Sequence, residues 1–172
     1  MRELTVFFFR HGIAVEREVF EGSDSDRPLT AKGQKKTQQI ARRLLDLGIE
    51  AELILSSPLV RARQTAEILL EVGVAPDLMI SDLLAPSGSL QEWLHWLSHW
   101  RQEHEGALMA VGHEPNLSHW AELLTCGKAS GHIQLKKAGI IGLKIPETEP
   151  LGNSQLFWLT SPKFLLNGSG SA

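Results

Sequence analysis

The run Leu4-Thr5-Val6-Phe7-Phe8-Phe9 is almost continuously apolar and stops at Arg10-His11-Gly12. A strand buried on both faces reads this way. Residues 13–29 show no period and are rich in charge and turn formers, which predicts a long surface loop of the kind that often carries function. The chain then alternates. Thr30 caps a helix to about Leu47, with Ile40, Ala41, Leu44 and Leu45 on one face and Gly48 as its stop. Leu53-Ile54-Leu55 reads as a short strand, after which Ser57-Pro58 opens a helix with proline at its first position. Leu78-Met79-Ile80 is a third strand. Ser89 and Glu92 form a capping box that opens a helix to about His104. Residues 107–111 read as a fourth strand, and Asn116 as the cap of a helix ending at about Cys126. Segments 133–135, 140–145 and 155–159 read as shorter strands. Alternating strands and helices with continuous apolar strands predict a three-layer α/β/α sandwich around a mostly parallel sheet, with antiparallel edges at the end of the chain. One domain over 1–165 and a small, polar, flexible tail over 166–172 are expected.

Composition narrows the picture. A chain of 172 residues suits one domain with a proper core, and 42% hydrophobic with 22% charged residues is ordinary for a globular protein. A net charge of −3 leaves no global basic field, so nucleic acid is an unfavoured partner and any anion site must be local. Lys32, Lys35, Lys36, Arg42 and Arg43 read as the charged outer face of the first helix. Cys126 is the only cysteine, so no intramolecular disulfide can form and a reducing compartment fits. No apolar run reaches membrane-span length, and the short N-terminal run lacks a signal-peptide core and cleavage site. A cytoplasmic protein without a membrane partner is expected.

Three segments follow predicted strands. They are Arg10-His11-Gly12, Ser56-Ser57-Pro58-Leu59-Val60-Arg61-Ala62-Arg63-Gln64-Thr65-Ala66, and Gly112-His113-Glu114-Pro115-Asn116-Leu117. The carboxyl ends of parallel strands share one edge of a sheet, where ligands bind in open α/β folds. Two histidines and two arginines would converge there, a set suited to phosphoryl chemistry, in which positioning and charge neutralisation dominate. Arginine's planar fork matches phosphate. Neighbouring arginines would keep His11 neutral and able to attack. Helical periodicity does not choose between Arg61 and Arg63.

Together the three motifs, with Ser25-Asp26-Arg27-Pro28-Leu29-Thr30 followed by Gly33, resemble the histidine phosphatase superfamily, in particular its compact SixA-type phosphohistidine phosphatases. The resemblance runs from about residue 4 to 160. It implies a phosphoglycerate mutase-like fold and a phosphatase working through a covalent phosphohistidine, without metal or cofactor. It implies that His11 is the nucleophile, that Arg10 and Arg61 bind the phosphoryl oxygens, and that His113 completes the pocket. It selects Arg61, the arginine before Ala62, over Arg63. Arg27 is a candidate for the pocket wall. The stretch 83–91 lacks the acidic donor of larger members, and Ser89 stands where an acid is expected after the glycine. An ester needs its departing alkoxide protonated, whereas a phosphoramidate releases the better leaving group imidazole. The preferred substrate is therefore phosphohistidine on a protein, such as a phosphotransfer domain or carrier. One alternative is a small phosphorylated metabolite, with Glu16, Glu114 or Asp82 as acid. The other is a phosphate-binding module with little turnover.

Other features have plainer readings. Asp24-Ser25-Asp26 does not follow a strand and is expected to be a solvated acidic loop. Cys126 is expected to be a buried small residue at a helix end. His95 and His99, four residues apart, lie opposite a stripe of Leu90, Trp93, Leu94, Leu97 and Trp100 and should face solvent with no third metal ligand. Trp96 falls off that stripe and should be partly exposed.

Overall fold

The computed structural model describes residues 3–167. Six strands form one sheet: β1 (Leu4–Arg10), β2 (Leu53–Ser56), β3 (Leu78–Ile80), β4 (Leu108–Gly112), β5 (Ile140–Ile145) and β6 (Gln155–Thr160). Their order is β3-β2-β4-β1-β5-β6. The first four are mutually parallel, while β5 and β6 add antiparallel edges. Five helices cover the sheet: α1 (Ala31–Asp46), α2 (Val60–Val72), α3 (Leu90–Glu103), α4 (Asn116–Cys126) and α5 (Pro162–Asn167). This is the expected sandwich.

Strand side chains alternate between two cores, as the pleat requires. Val6, Phe8, Leu55 and Ala110 pack with Trp93 and Leu97 of α3 and Trp120 and Leu124 of α4. Phe7, Phe9, Ile54 and Val111 pack with Ile40 and Leu44 of α1, Ala66 and Leu69 of α2 and Leu165 of α5. The continuous apolar strands are thus explained by two covered faces. Phe8, Trp93 and Trp120 meet with ring centroids 5.5–6.3 Å apart.

Several helix boundaries follow local chemistry. Thr30 Oγ1 accepts from the Gly33 amide at 2.9 Å, and Gly48 takes φ +72° just beyond α1. Others depart from expectation. Ser57-Pro58 does not open α2, which starts at Val60 after an extended Leu59. Ser57 instead prolongs the sheet, its amide bonding Val111 O at 3.0 Å. Asn116 is the first residue of α4 rather than its cap. Its side-chain amide donates to Pro86 O at 2.9 Å, and the Glu114 carboxylate caps the helix by accepting from the Ser118 amide. Residues 133–135 form no strand, because β5 already occupies the free side of β1. Helix α5 was not legible as such; it takes Leu166 and Asn167 out of the expected tail, whose remainder, 168–172, lies outside the described residues. Cys126, expected to be buried, is exposed as the last residue of α4.

The loop 127–139 is held from below. The buried Glu122 carboxylate accepts from the backbone amides of Ser130, Gly131 and Ile133. These bonds hold its carboxyl down at about 2. A carboxylate depressed in the folded state contributes stability above its ordinary value of 4.5, and that contribution fades as pH falls toward 2. Glu122→Gln is expected to speed amide exchange at Ser130, Gly131 and Ile133 while leaving β1 and β4 protected. Unchanged exchange at those three amides would refute this anchoring.

Candidate active site

Strands β1, β4 and β2 end side by side. The His11 amide bonds Gly112 O at 3.1 Å, continuing the β1–β4 ladder, as Ser57 continues the β2–β4 ladder. Hence Arg10, His11, Ser57 and His113 emerge at one edge, and the imidazoles of His11 and His113 lie with centroids 5.2 Å apart. Arg61, in the first turn of α2, reaches the same point. Its Nε donates to His11 Nε2 at 3.3 Å. Arg63 faces outward in a surface pair with Glu67, so the helix start decides between the two arginines.

The protonation of His11 follows from its neighbours. Gly12 O can only accept, so His11 Nδ1, 2.7 Å away, must carry hydrogen. Nε2 then holds a lone pair, consistent with its acceptance of the Arg61 Nε–H. Gly12 is itself pinned, because its amide donates to Thr65 Oγ1 at 3.0 Å while that hydroxyl donates to Arg61 O at 2.7 Å. Burial first, then the nearby His113, Arg61 and Arg10, push the His11 pKa down to about 3, against the pull of the Gly12 hydrogen bond. His113 is lowered to about 4, chiefly by burial and then by Arg61. Its Nε2 lies 2.7 Å from Ser57 Oγ, and its Nδ1 is buried without a partner, as is Arg10 Nε. Arg10 is oriented by a 2.8 Å bond from Nη1 to Leu135 O.

Arg10, His11, Arg61 and His113 line a cavity of about 420 Å³, with Arg17, Arg27 and Lys137 adding positive charge and Glu16, Glu18, Asp24 and Glu114 negative. Arg27 lines the cavity, with Nη1 bonded to Val15 O at 2.6 Å. Asp82, in the 3-10 turn Asp82–Leu84, does not line it. Asp24 overturns the reading of a solvated acidic loop. Residues 13–29 fold back, with Ala14 bridged to Leu29, and the 3-10 turn Asp24–Asp26 brings the Asp24 carboxylate against Arg61 and Arg27. Burial opposes its ionisation, but the Arg27 hydrogen bond and the Arg61 charge prevail and hold its carboxyl below the usual range. Asp24 and Ser57 were missed because their roles depend on partners 37 and 56 residues away.

His95 and His99 face solvent as expected, and Trp96 is partly buried. Among the described residues no helix is long and apolar enough to cross a membrane.

A model of the histidine phosphatase superfamily (branch 1) matches residues 6–83. An uncharacterized protein of Picosynechococcus sp. is 47% identical over 165 residues, spanning 95% of this chain and 99% of its own. This chain belongs to the histidine phosphatase superfamily. A structure of the protein histidine phosphatase SixA complexed with tungstate superimposes with TM-score 0.82 at 26% identity, covering 94% of this chain and 99% of that one. The probable phosphoglycerate mutase GpmB of Escherichia coli is 47% identical over 68 residues, which is 38% of this chain and 30% of GpmB. Membership of the superfamily and the SixA-like fold support phosphatase activity.

Because both imidazoles are depressed, neutral His11 should persist well below the ordinary histidine value of 6.5. In the free enzyme, the ring nitrogens of His11 and His113 are expected to keep neutral-form NMR shifts from about pH 8 to about pH 5. A His11 midpoint near 6.5 would refute a buried, neutral imidazole.

Proposed function

We propose that this protein hydrolyses phosphohistidine on another protein through a phosphorylated His11. The supporting observation is the state of the carboxylates around the cavity. Asp24 is held ionised by arginines, and both Glu114 oxygens accept hydrogen bonds from Ser118, so neither is set up to give a proton. Glu16 and Glu18 are exposed at the rim. A leaving alkoxide would find little help here. A departing imidazole takes its proton from solvent on its second nitrogen and needs no such acid.

In the first step the Nε2 lone pair of His11 attacks phosphorus in line, and the bond to the substrate nitrogen breaks, its electron pair staying on the departing imidazole. Arg10, Arg61 and His113 meet the charge on the equatorial oxygens, with Arg27 on the wall. Arg10 Nε and His113 Nδ1, buried and unpartnered, are the groups an incoming phosphoryl oxygen would satisfy. In the second step water attacks phosphorus, the bond to Nε2 breaks, and the water proton passes to phosphate. The partner is a phosphotransfer domain or phosphocarrier in the cytoplasm, with the chain acting as a single catalytic domain.

The test is a paired turnover assay without added metal. One arm uses a phosphohistidine-bearing phosphotransfer domain, the other para-nitrophenyl phosphate. Faster His11-dependent release from the phosphohistidine protein is expected. Preference for the ester would transfer the proposal to a small phosphomonoester, with Glu16 or Glu114 tested as acid by amide substitution. Phosphate binding without turnover on either would leave a binding module.

A further inference from the structure

Arg61 carries the site's most demanding geometry, yet its own helix does not orient it. The side chain is 5% exposed and lies beside neutral His11 and two other cations, Arg10 and Arg27. Its guanidinium has five N–H donors. Nε–H points at His11 Nε2, whereas Nη1 donates to Asp24 O at 2.8 Å and Nη2 to Asp24 Oδ2 at 3.2 Å. Asp24 therefore grips the far end of the guanidinium through two different oxygens. The other carboxylate oxygen, Oδ1, accepts from Arg27 Nε at 2.8 Å and from the exposed Arg17 Nε at 3.1 Å. Exposed ion pairs are weak. This one differs because two of the three arginines are almost buried, with side chains 5% and 12% exposed, and share a single carboxylate.

We infer that Asp24 is the positioning residue of this site, holding Arg61 end-on so that its Nε edge faces the nucleophile. Two guanidinium hydrogens, one on each Nη, remain for phosphoryl oxygens. Without the carboxylate, Arg61 keeps only the Asp24 carbonyl and is repelled by Arg27. The guanidinium would then turn about its last torsions, and Nε–H would leave His11. The inference rests on the site assignment above but not on the choice of phosphohistidine as substrate.

The test compares Asp24→Asn and Asp24→Ala with the wild-type chain. The first readout is hydrogen exchange of the Arg61 Nε–H in the free enzyme, followed by NMR. It should be slow in wild type, faster in Asp24→Asn and fastest in Asp24→Ala. The second is steady-state kinetics on the phosphohistidine protein and on para-nitrophenyl phosphate. A misplaced guanidinium should lower kcat by roughly tenfold to a hundredfold without raising KM in proportion, and Asp24→Asn should recover part of that loss. Slow Arg61 Nε–H exchange in a folded Asp24→Ala protein would overturn the inference, as would a loss confined to KM. Should Asp24→Ala fail to fold, the isosteric Asp24→Asn decides by the same two readouts. Should wild type turn over neither substrate, the proposed function fails, and the exchange measurement on the free enzyme still decides the role of Asp24.

Discussion

His11→Ala should abolish turnover and leave both the fold and phosphate binding in place. The expected loss in kcat is on the order of 10⁴-fold or more, the scale seen when a covalent nucleophile is removed. The structure separates this effect from damage. His11 sits beyond the last residue of β1, and its backbone amide, not its side chain, bonds Gly112. Truncation frees Gly12 O and Arg61 Nε, but Gly12 keeps its amide bond to Thr65, and Arg61 keeps both Asp24 contacts. Arg10 and His113 are untouched and, in the proposed roles, would still bind an oxyanion. Calorimetry with inorganic phosphate should therefore give a dissociation constant within a fewfold of wild type, while no radiolabel from the phosphorylated substrate is retained on the protein. Substantial residual turnover would show that water attacks the substrate directly and that no phosphohistidine intermediate is needed.

The second large effect is expected at Gly33, in the first turn of α1. A Cβ there would lie 2.0 Å from Ile13 O and 2.9 Å from Ile13 C, both backbone atoms that cannot rotate away. Ile13 follows His11 by two residues, and its carbonyl also accepts from the Thr30 amide at 2.9 Å. One methyl group must therefore push α1 and the segment carrying His11 apart. Overpacking of this kind costs about 1–3 kcal/mol, and a displacement of about 1 Å at His11 can lower kcat by roughly a hundredfold. Gly33→Ala should thus lose activity beyond what its unfolded fraction explains. Gly48→Ala is the control. Gly48 has φ +72° with open space around its Cβ position, so it should lose only stability. Urea unfolding with activity per folded molecule distinguishes the two. Equal specific activity in both variants would show that the α1 contact does not set the position of His11.

The sequence carried a good deal of this. Every strand from β1 to β6 was visible as an apolar run; in β1, β2, β4 and β5 this follows from burial, whereas β3 and β6, at the two edges of the sheet, are apolar though largely exposed. The caps at Thr30 and Ser89 were legible because their donors lie three residues away. His11, Arg10 and His113 were marked by their place just past strand ends. The misreadings have a common cause. Ser57 and Asn116 were read by local helix rules, yet their side chains bond partners set by the fold, His113 and Pro86. Residues 133–135 had strand composition, but the place beside β1 was already taken.

What the sequence determined by itself is therefore the set of elements, their alternation, and the residue types delivered to one sheet edge, since these depend on periodicity and on neighbours a few positions away. What only the tertiary structure decided is which groups touch. The choice of Arg61 by geometry, the Ser57–His113 pair and the arrival of Asp24 all depend on residues tens of positions apart. Hydrogen bonds and charges act over a few ångströms in space, and only folding converts distance along the chain into distance of that kind.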